Sequence, residues 1–408
     1  MVQTRRLSRP ARALREGEKR GDLEAIWRAG VEACLPERLV PRHLPPPPSG
    51  RTILLALGKA AAGMARSVER RWDGALSGLA VVPSGSPGAL ERIELLTASH
   101  PIPDESSVEA AERLLAPARE AGADDLVLVL LSGGASSLAC LPGDGLSLEE
   151  KRRVTGALLR SGAGVGEINC VRRHLSHFKG GRLALAAAPA RVVTLAISDV
   201  LGDRAEDIGS GPTVADPTGI ADARAILARY GIAPPTAGWS ETPKRLRGEF
   251  RLVGNGRTAL EAAARKAREL GYRPELVECG GEASEVGRAH AGLALASPPR
   301  TALISGGELT VTVAGPGAGG PNQEYALAAA LALAGRPGII GLAADTDGID
   351  GLSEAAGAFF DSATAGTGAE AALEANDSGA YLAARGGLFV TGATGTNVND
   401  LRILLTAP

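Results

Sequence analysis

Aromatic residues are scarce in this 408-residue chain, with Phe, Trp and Tyr together at 3%. Its interior must therefore be filled by Ala, Leu and Val rather than by stacked rings. Cysteine is scarcer still. Cys34, Cys140, Cys170 and Cys279 lie far apart with no CxxC pair, which argues against a disulfide scaffold or a zinc site and for reduced, mostly buried thiols. Neither sign of charge prevails: 44 Lys+Arg against 46 Asp+Glu leave −2, too little for a general attraction to nucleic acid or acidic membranes. No apolar run approaches the roughly 20 residues that a membrane span needs. There is no Walker A sequence, and no GxGxxG run is followed about twenty positions on by an acidic residue. The first twenty residues are Arg-rich but lack an apolar h-region, and Glu16 and Glu18 interrupt the basic run. A secretory signal is not expected, a transit peptide is the less favoured reading, and the expected compartment is the cytoplasm.

What is present begins with length. A chain of this size exceeds what one core usually fills, so two domains are expected. The organising stretch is Leu126–Leu131, six apolar residues ending in Ser132-Gly133-Gly134-Ala135-Ser136-Ser137. Such a run reads as a strand buried on both faces of a parallel sheet. The turn after it brings backbone N–H groups close to a ligand, and at a strand's carboxyl end that suits phosphate or carboxylate. The alternative is a tight turn that binds nothing.

Around it runs a βαβ rhythm. Thr52–Leu57 is a predicted strand, and Gly58-Lys59-Ala60 opens a helix to about Arg71, placing Lys59 at a strand-to-helix junction; an ordinary solvated Lys is the alternative. His100, before Pro101, sits in an extended turn as a structural or functional His. Leu148–Gly162 reads as helix. Between Ile168 and Ala184, Arg172, Arg173, His174, His177, Lys179 and Arg182 cluster ahead of Gly180-Gly181. That cluster is either a solvated helix face or a holder for an anionic substrate. The strand Val192–Ile197 ends in Ser198-Asp199, and a carboxylate there serves as a Mg²⁺ ligand, a proton acceptor or a helix cap.

Residues 233–248 are Pro-, Gly- and charge-rich and read as an interdomain linker. Phe250–Val253 then starts a second α/β unit, with Gly254-Asn255-Gly256 before a helix whose Leu260, Ala263, Ala267 and Leu270 share a face. Further strands are expected at Glu275–Glu278, Ala302–Ile304, Thr310–Val313, Ile339–Ala344 and Leu401–Leu405. Asp345–Gly351 lacks EF-hand spacing and is better read as an acidic turn than as a Ca²⁺ loop.

In combination, GKAA (Gly58–Ala61), HPIPD (His100–Asp104), LLSGGASSL (Leu130–Leu138), INCVRRHLSHFKGGRLA (Ile168–Ala184), SDVLGD (Ser198–Asp203) with DIGSGPTVADPT (Asp207–Thr218), SGGE (Ser305–Glu308), GGPNQE (Gly319–Glu324), DTDGIDG (Asp345–Gly351) and TGTNVNDL (Thr394–Leu401) resemble the type II glycerate 2-kinases, whose second half is the MOFRL domain. The resemblance covers nearly the whole chain. It implies an α/β protein of two domains, a Rossmann-like parallel-sheet domain over 1–240 and a smaller MOFRL-type α/β domain over 249–408, with the active site in the cleft between them. It implies ATP-dependent phosphorylation of D-glycerate at its 2-hydroxyl with Mg²⁺. No nucleic-acid or membrane partner is implied, and a homodimer is compatible.

On this reading Lys59 contacts the transferring phosphoryl group. The turn of Ser132, Gly133, Gly134, Ser136 and Ser137 grips carboxylate or phosphate, with Arg172 and Lys179 as basic partners. Asp199 accepts the hydroxyl proton or holds Mg²⁺, with Asp203 or Asp347 as further acidic candidates. Asn255, Glu308, Asn322, Gln323, Glu324, Asp347, Asp350, Thr396 and Asn397 are the residues expected from the second domain. One departure stands out: the family usually carries Arg where this chain has Pro321, which suits a helix's first turn. The rival readings are an NAD(P)H-dependent hydroxypyruvate reductase, a name often given to such proteins, and a non-catalytic small-anion sensor.

Overall fold

The computed structural model describes residues 16–86 and 88–407; the expectation for the first fifteen residues lies outside them. Contacts divide the described residues into two units. A parallel-sheet unit holds residues 34–255 and 395–398, and a mixed-sheet unit holds 16–33, 256–394 and 399–407. No helix among the described residues is long and apolar enough to cross a membrane.

The first unit is built on β1 (Thr52–Leu57), β2 (Leu76–Pro83), β3 (Glu94–Ala98), β4 (Leu126–Leu131), β5 (Arg191–Ile197) and β6 (Glu249–Gly254). They pair in the order β3-β2-β1-β4-β5-β6, every neighbour parallel. All six residues of β1 and of β4 are buried, as expected of strands covered on both faces. The chain runs outward from β1 to β3, then returns to β4 on the other side of β1. The carboxyl ends of β1 and β4 therefore flank the point where the strand order reverses, which is where open α/β sheets bind ligands.

The mixed-sheet unit contains β7 (Arg273–Glu278), β8 (Gly281–Glu282), β9 (Thr301–Gly307), β10 (Leu309–Thr310), β11 (Ile339–Asp345), β12 (Gly357–Asp361), β13 (Leu388–Phe389) and β14 (Asp400–Thr406). Six of these form a sheet in the order β13-β12-β11-β14-β9-β7, while β8 and β10 pair separately. Only β7 and β9 run parallel in the larger sheet.

Four expectations change. Phe250–Val253 does not open the second unit: it lies within β6, which pairs with β5 in the first sheet. Nor is 233–248 a free linker, because Arg182 donates to the carbonyls of Ser240 and Glu241 (2.9 and 3.1 Å) and Thr242 donates to Asp216 (3.1 Å), tying the strap to its own unit. The helix Glu16–Ala33, meanwhile, goes with the mixed sheet, burying Leu23, Ile26, Trp27 and Val31 in one core with Leu260, Ala263, Ala264 and Ala267. The grouping thus differs from a 1–240 and 249–408 division. Thr310–Val313 is strand only at Thr310, where β10 meets the two-residue β8.

Candidate functional site

At the switch point two turns are zipped together. Lys59 N–H donates to the Gly133 carbonyl (2.8 Å), Ala60 N–H to Ser132 Oγ (3.0 Å) and Ser132 N–H to the Leu57 carbonyl (3.0 Å). Gly58, at φ 128°, must be glycine: a Cβ there would lie 2.3 Å from Ser132 Oγ. Ser132 is buried and clamps the Lys59 turn.

The two glycines after Ser132 are packed against side chains from other elements. A Cβ on Gly133 would fall 2.0 Å from Asp199 Oδ2 and 3.0 Å from Asn397 Nδ2; one on Gly134 would fall 2.9 Å from His100 Nε2 and 3.6 Å from Lys59 Cγ. Asn397 Nδ2 also donates to Asp199 Oδ2 at 3.4 Å. Lys59 from the end of β1, His100 from the loop after β3, Asp199 from the end of β5 and Asn397 from the 395–398 segment thus converge on Gly133-Gly134. A cavity of about 240 Å³ opens there, lined by His100, Gly133, Gly134, Ser136, Ser137, Asn169, Arg172, Asp199 and Asp207 among others.

The two carboxylates of this lining are not equivalent. Asp207 accepts from Asn169 Nδ2 (3.2 Å) and from Arg173 (3.3 Å), so it belongs to the scaffold. Asn169 Oδ1 accepts from Ser210 (2.9 Å), whose hydroxyl meets Ser136 Oγ at 2.8 Å. Arg172 approaches Asn169 Oδ1 at 3.5 Å. Asp203, off this lining, has its Oδ2 bonded by Asn255 Nδ2 at 2.6 Å. Lys179, buried, donates to the carbonyls of Ser136 (2.5 Å) and Ala139 (2.9 Å).

Of the residues assigned to the second domain, Asn255, Thr396 and Asn397 group with the parallel sheet instead, Thr396 donating to the Cys34 carbonyl at 2.8 Å. In the mixed-sheet unit, Asp350 Oδ1 and Oδ2 accept from the N–H groups of Asn322 (3.0 Å) and Gln323 (2.8 Å), capping the helix Pro321–Leu333. Pro321 occupies its first turn. Burial pushes the Asp350 carboxyl up to about 7. Asn322 Nδ2 reaches Asp400 (2.6 Å), which is paired with the fully buried Arg402 (2.8 Å). Glu324 accepts from Asn376 at 3.1 Å. Asp347 caps its own turn through the Ile349 N–H (2.9 Å), and Glu308 is exposed.

Residues 22–238 match the family described as Domain of unknown function (DUF4147), and residues 301–400 match the MOFRL family. A Thermotoga maritima protein named D-glycerate 2-kinase is 43% identical, over 93% of this chain and 96% of its own length. A crystal structure of a glycerate kinase from the same organism superposes with a TM-score of 0.86 at 41% identity, covering 96% of this chain and all of that one. This chain belongs to the glycerate 2-kinase family. A relative from Agrobacterium vitis with a provisional hydroxypyruvate reductase name is 47% identical, over 94% of this chain and 93% of its own.

Within the family the two names imply different chemistry, and one helix end bears on the choice. Gly315–Gly320 leads into the helix Pro321–Leu333 much as a dinucleotide loop does. A pyrophosphate would need that helix's N–H groups, but the Asp350 carboxylate already takes two of them. A bound anion there would meet a carboxylate instead of open donors.

Mg²⁺, which kinase chemistry implies, needs oxygen donors and usually keeps one or two carboxylates plus phosphates. Among the described residues no group of three or more His, Cys, Asp or Glu could hold a metal. Asp199 offers one carboxylate, a donor type that Mg²⁺ takes alongside phosphate oxygens. Lys151, outside the expected set, also lines a cavity. It lies on one helix face with Val154 and Leu158, all three buried, and a Lys on an apolar stripe was the signal that could have marked it.

Proposed function

We propose that this chain transfers the γ-phosphoryl group of ATP to the 2-hydroxyl of D-glycerate, giving 2-phosphoglycerate and ADP. The observation that carries this reading is the packing of Lys59, His100, Asp199 and Asn397 against Gly133-Gly134 at the sheet's switch point. The cavity of about 240 Å³ suits a three-carbon acid. As the substrate oxygen bonds to phosphorus, the bond from phosphorus to the β–γ bridging oxygen breaks, and its electron pair leaves on ADP.

Such transfers have loose transition states, so placement and charge neutralisation do most of the work. Lys59 neutralises charge on the transferring group, and Arg172 holds an anionic end of the substrates. Asp199, bonded by Asn397, takes the hydroxyl proton or would hold Mg²⁺. When bound, the ion would offset charge on the phosphate oxygens. The kinase relatives support the nucleotide as co-substrate.

A coupled ADP-release assay with D-glycerate, ATP and Mg²⁺ tests this reading, followed by determining which carbon carries the phosphate. Glycerate-dependent ADP release with phosphate on carbon 2 is expected. NAD(P)H oxidation by hydroxypyruvate with no ATP requirement would overturn it, and so would ligand binding without product.

A further inference from the structure

A second cavity, of about 430 Å³, adjoins the first and shares Pro101, Ser136, Ser137 and Arg172 with it. Its lining carries five cationic side chains, Lys151, Arg152, Arg160, Arg172 and Lys179, and no carboxylate. Lys151 and Lys179 are only 3% and 1% exposed. The Lys151 ammonium donates to the Leu175 carbonyl (2.5 Å) and that of Lys179 to Ser136 and Ala139. Among the described residues, no carboxylate forms an ion pair with either lysine or with Arg172. Burial pulls the two lysines down to about 8 and about 7, and each is further lowered by nearby cations. Uncompensated buried charge of one sign is unfavourable unless an anion completes it.

Size and rim narrow the anion's class. A three-carbon acid is accommodated by the smaller cavity, whereas this one lies in the range that takes a cofactor-sized ligand. Ile102 and Leu159, 61% and 58% exposed, stand on it with Pro101 and Pro103 as an apolar surface suited to a planar base. The shared wall would put a bound phosphate next to the acceptor.

We propose that this second cavity binds the nucleoside triphosphate, with its phosphates along Lys151, Lys179 and Arg172 toward the Ser136–Ser137 wall and its base against Pro101–Pro103 and Leu159. The proposal rests on the kinase reading above. Gly156 supplies a direct test. It lines the cavity from the helix Leu148–Arg160, and a Cβ there would meet only the Arg160 guanidinium, at 3.2 Å. Gly156→Leu therefore fills the cavity while improving helix propensity.

In the full-length protein, KM for ATP should rise at least tenfold, and calorimetric affinity for ADP should fall as much. KM for D-glycerate should stay within twofold. Arg160→Glu, at the rim, should raise KM for ATP severalfold, more so at low salt. Unchanged nucleotide parameters in both variants would overturn the assignment, as would a rise confined to KM for glycerate. A wild-type protein that neither binds ADP nor forms phosphoglycerate would defeat the kinase reading itself. An active wild type with indifferent variants would defeat only the placement of the nucleotide.

Discussion

Gly133→Ala adds one methyl group to the candidate site and nothing else. The φ of Gly133 lies outside the left-handed region, so alanine's backbone is admissible there. The obstacle is the Asp199 carboxylate, with Oδ2 2.0 Å and Cγ 2.8 Å from the new carbon. Ordinary carbon–oxygen contact begins at about 3.4 Å, so Asp199 must retreat by more than about 1 Å, and a misplacement of that size costs about 10²-fold in rate. We expect kcat/KM to fall by about 10²-fold, equivalent to about 2.7 kcal/mol. Tm should stay within a few degrees, because Asp199 is half-buried and can yield.

A double-mutant cycle isolates the cause. Asp199→Ala alone should cost about 10²–10³-fold. Adding Gly133→Ala to it should then cost about threefold at most, since the carboxylate is gone and Asn397 Nδ2, 3.0 Å from the new carbon, need give by only a few tenths of an ångström. Steady-state kinetics on the four proteins read this directly. A single Gly133→Ala variant within threefold of wild type would refute the reasoning, and so would two losses that multiply.

Lys59→Met should reduce kcat by about 10²–10³-fold with unchanged circular dichroism and Tm, as for loss of one preorganised charge; near-normal turnover would remove Lys59 from the mechanism. Asp350 carries a pH signature: its folded carboxyl is raised to about 7, so the folded state binds the extra proton and stability should decline as pH rises from about 4 to about 7. Asp350→Asn should flatten that part of the denaturation-versus-pH curve, and an unchanged slope would contradict it. Pro321→Arg should raise kcat/KM for ATP or leave it within threefold, because the helix's first turn tolerates either residue; a drop beyond tenfold would mean the surroundings depend on proline.

How much could be read in advance follows from how local each signal was. The strands β1, β4 and β5 are nearly continuous apolar runs, because both sheet faces are covered, and such runs need no context to recognise. The turn after β4 was equally legible from its two glycines. Sheet membership was not. Glu249–Gly254 looks the same whether it pairs with β5 or opens a new sheet, and its pairing depends on residues more than fifty positions away. The two-residue β13 and the glycine-led β12 have too short a pattern to register. Asn397 belongs by sequence to the last segment, yet its side chain meets Asp199, nearly two hundred residues earlier.

Within the basic cluster 172–182, chemically similar neighbours have different surroundings that their spacing does not reveal. Arg173 is 2% exposed and lies 2.9 Å from Asp216 and 3.3 Å from Asp207. Arg182 donates to four backbone carbonyls. His174 is buried on the Cys170 carbonyl (2.8 Å), and His177 turns outward to Asp144 (2.9 Å). Only Arg172 and Lys179 line the cavities. Substitution should separate the classes. Arg173→Met removes the buried cation between Asp207 and Asp216 and should destabilise the protein by about 3–5 kcal/mol. Arg172→Met breaks no ion pair, so it should keep wild-type stability while losing about 10²-fold in kcat/KM. If denaturant midpoints fell equally in both variants, the division of this cluster into framework and ligand-facing charge would be untenable, because Arg172 would then be paired to something that its neighbours do not supply.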